Sequence, residues 1–120
     1  MKHKNFTRSF ADAFQGLLYA LKSERNMVIH LVATAISLSA SYLFQISRIE
    51  FLFVLSAIFL VIITEMFNTA LEAAVDLKTM KKHPLALIAK SVAAGAVLCA
   101  VLYSLFVAWL VFAEKITDLW

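Results

Sequence analysis

Glu65, Asn68, Glu72 and Asp76 interrupt a long apolar stretch of the chain. Steps of three, four and four residues return to the same side of an α-helix, so the four share one narrow stripe. The apolar run starts at Phe51, which puts Glu65 about 21 Å along a helix rising 1.5 Å per residue. In a hydrocarbon layer about 30 Å thick, that depth is inside the layer and toward one boundary. A carboxylate held there costs roughly 2.5–3.5 kcal/mol on insertion scales, and function is the default reading of such a residue. The competing reading is a polar contact that glues helices together. Function is favoured because several carboxylates share the stripe and lead out of the membrane on one side.

Other polar groups gather at that same boundary. Glu24, Arg25 and Asn26 precede one apolar run; Lys81, Lys82 and His83 follow the acidic stripe; Lys90 opens the next run. Carboxylate oxygens suit Mg²⁺, which also keeps waters and substrate phosphates. Lysines supply positive charge to a phosphate chain. Taken singly, Lys81 and Lys82 read as topology signals and His83 as a loop residue. The chain has two glycines, Gly16 and Gly95, and neither a G-x-x-x-x-G-K-[ST] nor a G-x-G-x-x-G pattern. A bound nucleotide would be held by metal, lysine and carboxylate instead of a glycine-rich cradle.

The elements that must position these groups are membrane helices. The 120 residues are 62% hydrophobic and 16% charged, with a mean hydropathy of +0.85. A chain this short cannot hide so much apolar surface in one globular core, and residues 1–120 read as a single membrane-embedded domain. Residues 6–22 carry Phe6, Phe10, Phe14, Leu17 and Leu21 at helical spacing, which predicts an amphipathic helix lying in the membrane interface. Membrane helices are expected over residues 28–44, 51–77 and 86–113, the last containing an uncharged run over 92–113. Tyr103, Trp109 and Trp120 suit an interfacial aromatic belt. The fold class expected is therefore all-α, with one interfacial and three membrane helices. The first 27 residues lack the apolar core and small-residue site of a cleavable signal peptide.

Basic residues set the orientation. Lys2, Lys4, Arg8, Lys22 and Arg25 precede the first span, and Lys78, Lys81, Lys82 and Lys90 lie between the second and third; Arg48 and Lys115 stand alone on the other side. The positive-inside rule puts the N-terminus and the second loop in the cytoplasm. The net charge of +3 carries no nucleic-acid signal. Cys99 has no partner for an intrachain disulfide and reads as a small packing hydrophobe.

Three stretches together resemble the prokaryotic diacylglycerol kinase family, including its undecaprenol kinase branch: S-E-R-N-M-x-I-H at 23–30, E-x-x-N-T-A-L-E-A-A-V-D at 65–76, and H-P-L-A-L-I-A-K-S-V-A-A-G-A-V at 83–97. The resemblance covers nearly the whole chain and implies a lipid kinase of the bacterial cytoplasmic membrane. It would move the γ-phosphate of Mg-ATP to a lipid alcohol, undecaprenol before diacylglycerol, in a homotrimer with shared active sites facing the cytoplasm. By position, the resemblance makes Glu65 the general base that meets the lipid hydroxyl and Glu24 and Glu72 the metal-binding carboxylates. Asn68 becomes a polar group orienting Glu65 or substrate. Lys90 meets the ATP phosphates, with Lys81, Lys82, His83, Asp76 and Ser91 around the nucleotide. Partial desolvation of Glu65 would make it a stronger base. One departure stands out. The family usually has Asp after the lysine of the third span, and here it is Ser91, which can hydrogen-bond but supplies no charge. The alternatives kept open are an impaired or non-catalytic paralogue that binds nucleotide or lipid, and a small transporter with Glu65 and Asn68 lining a polar path.

Overall fold

A computed structural model describes residues 5–79 and 81–119. Lys2, Lys4 and Trp120, used above for orientation and the aromatic belt, lie outside the described residues. The described chain is helical throughout: α1 (Phe6–Ser23), α2 (Arg25–Leu43), α3 (Arg48–Lys78) and α4 (Pro84–Thr117). By length and composition, α2, α3 and α4 can each cross a membrane.

Each helix end has a local cause. Asn5 caps α1 by accepting the Arg8 amide at 2.8 Å. A single extended residue, Glu24 (φ −114°, ψ 116°), separates α1 from α2. The second helix ends in a Schellman turn: the Gln45 amide donates to Tyr42 O at 3.2 Å and the Ile46 amide to Ser41 O at 3.3 Å. Gln45 occupies the left-handed position of that turn, φ 49°. Ser47 and Glu50 then form a reciprocal capping box at the start of α3. Pro84 begins α4, where its missing amide proton costs nothing. His83 caps the same end, its Nδ1 accepting the Leu85 amide at 3.1 Å.

α3 is the central element. α2 and α4 both pack on it and do not pack on each other, while α1 lies against α2 and α3. The α3–α4 seam holds a core of Val54, Ala57, Val107 and Val111, with Ile46, Ile58, Tyr103 and Phe112 against it. Three polar contacts join the same pair: Ser56 Oγ and Tyr103 Oη at 3.1 Å, Lys115 Nζ donating to Glu50 Oε2 at 2.8 Å, and, toward the other end, Lys90 Nζ donating to Asp76 Oδ1 at 2.7 Å. Large apolar side chains such as Phe67, Trp109 and Leu110 remain mostly exposed. Water would not tolerate that surface, and lipid does. On α1 the buried residue is Ala20, whereas Phe6, Phe10 and Phe14 are exposed along one side. That aromatic edge is available to the membrane interface.

Candidate active site

The acidic stripe of α3 points into the protein at its deep end. Glu65 is 1% exposed, and Asn68 and Thr69 are also buried. Thr69 Oγ1 donates to the Glu65 carbonyl at 3.0 Å, which turns that hydroxyl back onto the helix. Asn68 Nδ2 donates to Glu72 Oε1 at 3.0 Å. The amide of Asn68 thus orients Glu72, one turn farther along, and its Oδ1 is left buried without a partner.

α2 supplies a residue that the α3 spacing does not reveal. His30 Nε2 stands 3.6 Å from Glu65 Oε2. His30 Nε2, Glu65 Oε1 and Asn68 Oδ1 are buried and make no hydrogen bond. A buried polar atom left unpaired costs about 1–3 kcal/mol, so the concentration of such atoms makes this the leading candidate for a polar-ligand site among the described residues. Glu24 and Glu72 also act on the Glu65 carboxylate electrostatically. Glu24 stands at the extended corner between α1 and α2.

Two features flank this cluster. On the lipid side, a groove of about 290 Å³ runs between α2 and α4 over α3, with Ile29, Val54, Ile58, Leu105 and Phe112 among its walls. His30, Thr34 and Ser37 line its α2 side. On the loop side, Lys90 Nζ pairs with Asp76 Oδ1 at 2.7 Å, both half exposed. Lys81, Lys82, His83 and Lys90 line a small depression of about 90 Å³. Lys81 and Lys82 are exposed in the loop, and Ser91 is exposed on α4. Glu65 and Asp76 are eleven residues apart, about 16 Å along α3, so the deep carboxylate and the lysine rim are the two ends of one polar path.

The site residues expected from sequence therefore divide. Glu65 and Asn68 are buried on α3 with Glu72 hydrogen-bonded to Asn68, Glu24 stands partly buried at the α1–α2 corner, and Asp76 and Lys90 form an ion pair farther along α3. Lys81, Lys82 and His83 sit at the rim. The imidazole of His83 is engaged in capping α4, which gives this residue a structural task. Among the described residues no group of three or more histidine, cysteine or acidic side chains gathers as a metal site. Two carboxylates fit an ion that takes its remaining ligands from water and phosphate.

The sequence profile of the family described as "Prokaryotic diacylglycerol kinase" matches residues 11–112. The chain belongs to the prokaryotic diacylglycerol kinase family. It is 36% identical over 118 residues to a protein of Bacillus subtilis named undecaprenol kinase, covering 95% of this chain and 96% of that one. It is 38% identical over 104 residues to a Synechocystis sp. protein named diacylglycerol kinase, covering 86% of this chain and 59% of the relative's length. As a member of the family it is a membrane-embedded lipid kinase, a phosphotransferase with ATP as co-substrate. The matched region contains all four helices in part or whole, together with Glu24, His30, Glu65, Asn68, Glu72, Asp76 and Lys90.

His30 is the functional candidate that spacing on α3 did not expose. Its signal lay on α2, where His30, Thr34, Ser37 and Ser41 repeat at steps of four, three and four within an apolar run. That second polar stripe faces inward: Ser41 is buried, and His30, Thr34 and Ser37 are partly so.

Proposed function

We propose that the chain phosphorylates a membrane lipid alcohol at Glu65, with undecaprenol preferred to diacylglycerol. The observation that carries this reading is a glutamate buried in a membrane helix, with one carboxylate oxygen unpartnered, near the polar end of a groove open toward lipid. The groove suits a hydrocarbon chain, and its His30 end suits the hydroxyl of that chain.

These positions support the following reaction. Glu65 takes the proton of the lipid hydroxyl. The freed oxygen attacks the γ-phosphorus of ATP in line, the bond from that phosphorus to the β–γ bridging oxygen breaks, and ADP leaves. Catalysis of this kind is mainly positioning and charge neutralisation. Glu24 and Glu72 would hold Mg²⁺, which when bound offsets phosphate charge. Asn68 fixes the direction of Glu72. Lys90, now paired with Asp76, supplies a cation to the phosphates, with Lys81, Lys82 and Ser91 around the nucleotide. The distribution of lysines supports a cytoplasmic N-terminus and rim, in what this reading takes to be a bacterial inner membrane. The reading also includes the homotrimer with shared sites that the family resemblance implies, each copy a single domain spanning residues 1–120.

Phosphate transfer from labelled ATP to undecaprenol and to diacylglycerol, measured side by side in vesicles, tests the reading. Faster labelling of undecaprenol is expected; no labelling of either by folded protein overturns it. Ser91 motivates a second reading, an impaired paralogue that binds nucleotide or lipid. Ser91→Asp distinguishes the two. Activity appearing only in that variant would favour the impaired reading, and a parent already active would dismiss it.

A further inference from the structure

We propose that His30 is a positioning residue for Glu65: its Nε2–H holds Glu65 Oε2 and thereby presents Oε1 to the lipid hydroxyl. The inference rests on the reading of Glu65 as the base that meets the lipid alcohol. A buried carboxylate has two oxygens and can rotate, and a base works only if one lone pair is aimed at the proton it takes. The surroundings of Glu65 solve that unequally. Oε2 faces an imidazole nitrogen at 3.6 Å, and Oε1 has no partner. Of the groups that act on Glu65, Glu24 and Glu72 are carboxylates, whereas His30 brings a ring N–H from a different helix.

The geometry of α2 supports the assignment. His30 Nε2 is itself buried with no hydrogen bond, so the nitrogen and Oε2 are each other's natural partner. The separation is slightly longer than a hydrogen bond, as catalytic contacts often are before substrate binds and draws them together. His30 also lines the lipid-side groove. A lipid alcohol entering there passes the imidazole before it reaches Glu65, so the ring both orients the carboxylate and borders the hydroxyl's path.

The test uses the full chain in lipid vesicles with His30→Ala and His30→Gln. The glutamine amide nitrogen falls near the position of Nε2 and keeps a neutral donor. With undecaprenol and ATP, His30→Ala is expected to lower kcat on the order of 10²-fold, the loss that follows from a small misplacement of a reacting group, with KM for ATP unchanged. His30→Gln should recover most of that loss. Infrared spectroscopy gives a readout that does not depend on turnover. The Glu65 carboxylate band, assigned as the one lost in Glu65→Gln, should shift in His30→Ala and stay near its original position in His30→Gln. A wild-type kcat in His30→Ala, or an unmoved Glu65 band, overturns the proposal. If His30→Ala does not fold, the His30→Gln band decides: near the original position it supports the contact, and displaced as in free carboxylate it refutes it. An inactive wild type would instead defeat the kinase reading, while the infrared bands would still report whether His30 holds Glu65.

Discussion

Glu72 has one oxygen committed to the Asn68 amide before any ligand arrives. Such a bond fixes the direction of a carboxylate without removing its charge, which is how ligands around metal sites are oriented. Glu72→Ala should therefore raise the Mg²⁺ concentration needed for half-maximal rate by at least the roughly 10–100-fold that follows loss of a group supporting a metal ligand. A metal titration that superimposes on wild type would take Glu72 out of the metal site. The α3 members of the site were legible in the sequence because polar residues at 65, 68, 72 and 76 in an apolar run leave little choice of helix face. His30 was visible as a polar residue in the first apolar run, and its role was not. A contact between α2 and α3 depends on how two helices are set against each other, and no spacing within one helix encodes that.

At the scale of elements, hydropathy marks membrane depth, whereas helix ends are set by backbone hydrogen bonds. The apolar runs at 28–44, 51–77 and 86–113 sit within or beside longer or shifted helices, Arg25–Leu43, Arg48–Lys78 and Pro84–Thr117. Polar residues extend α3 and α4 because capping is their chemistry: Ser47 and Glu50 close one helix start, and His83 with Pro84 opens another. Gln45 in the left-handed position carried no sequence signal, since glycine is the residue that usually announces such a turn. The capping box lies at the far end of α3 from Glu65, so its loss should affect stability alone. Ser47→Ala is expected to cost about 1 kcal/mol and lower the thermal unfolding midpoint in detergent, with turnover per folded protein unchanged. A fall in turnover at an unchanged midpoint would tie this end of α3 to the reaction. Glu24 is the opposite case, a break in helix: one extended residue separates α1 from α2, and its carboxylate is a proposed metal ligand.

For the whole molecule, the arrangement joins two solvents. Its flanks carry exposed Phe, Leu and Trp side chains suited to hydrocarbon, its loop side carries lysines, and α3 runs from one to the other with acids along its inner face. Composition alone was enough to predict membrane helices, because 62% hydrophobic residues in 120 admit no water-soluble solution. The open groove between α2 and α4 was not legible, because it arises from two helices sharing a third without meeting. Phosphate transfer at membrane depth turns on Glu65 acting as a base. Labelled-phosphate transfer to undecaprenol by Glu65→Gln, with helical content followed by circular dichroism, tests it most directly. A folded protein whose transfer falls to background is expected; a folded Glu65→Gln protein that turns over like wild type would contradict a role for Glu65 as the base.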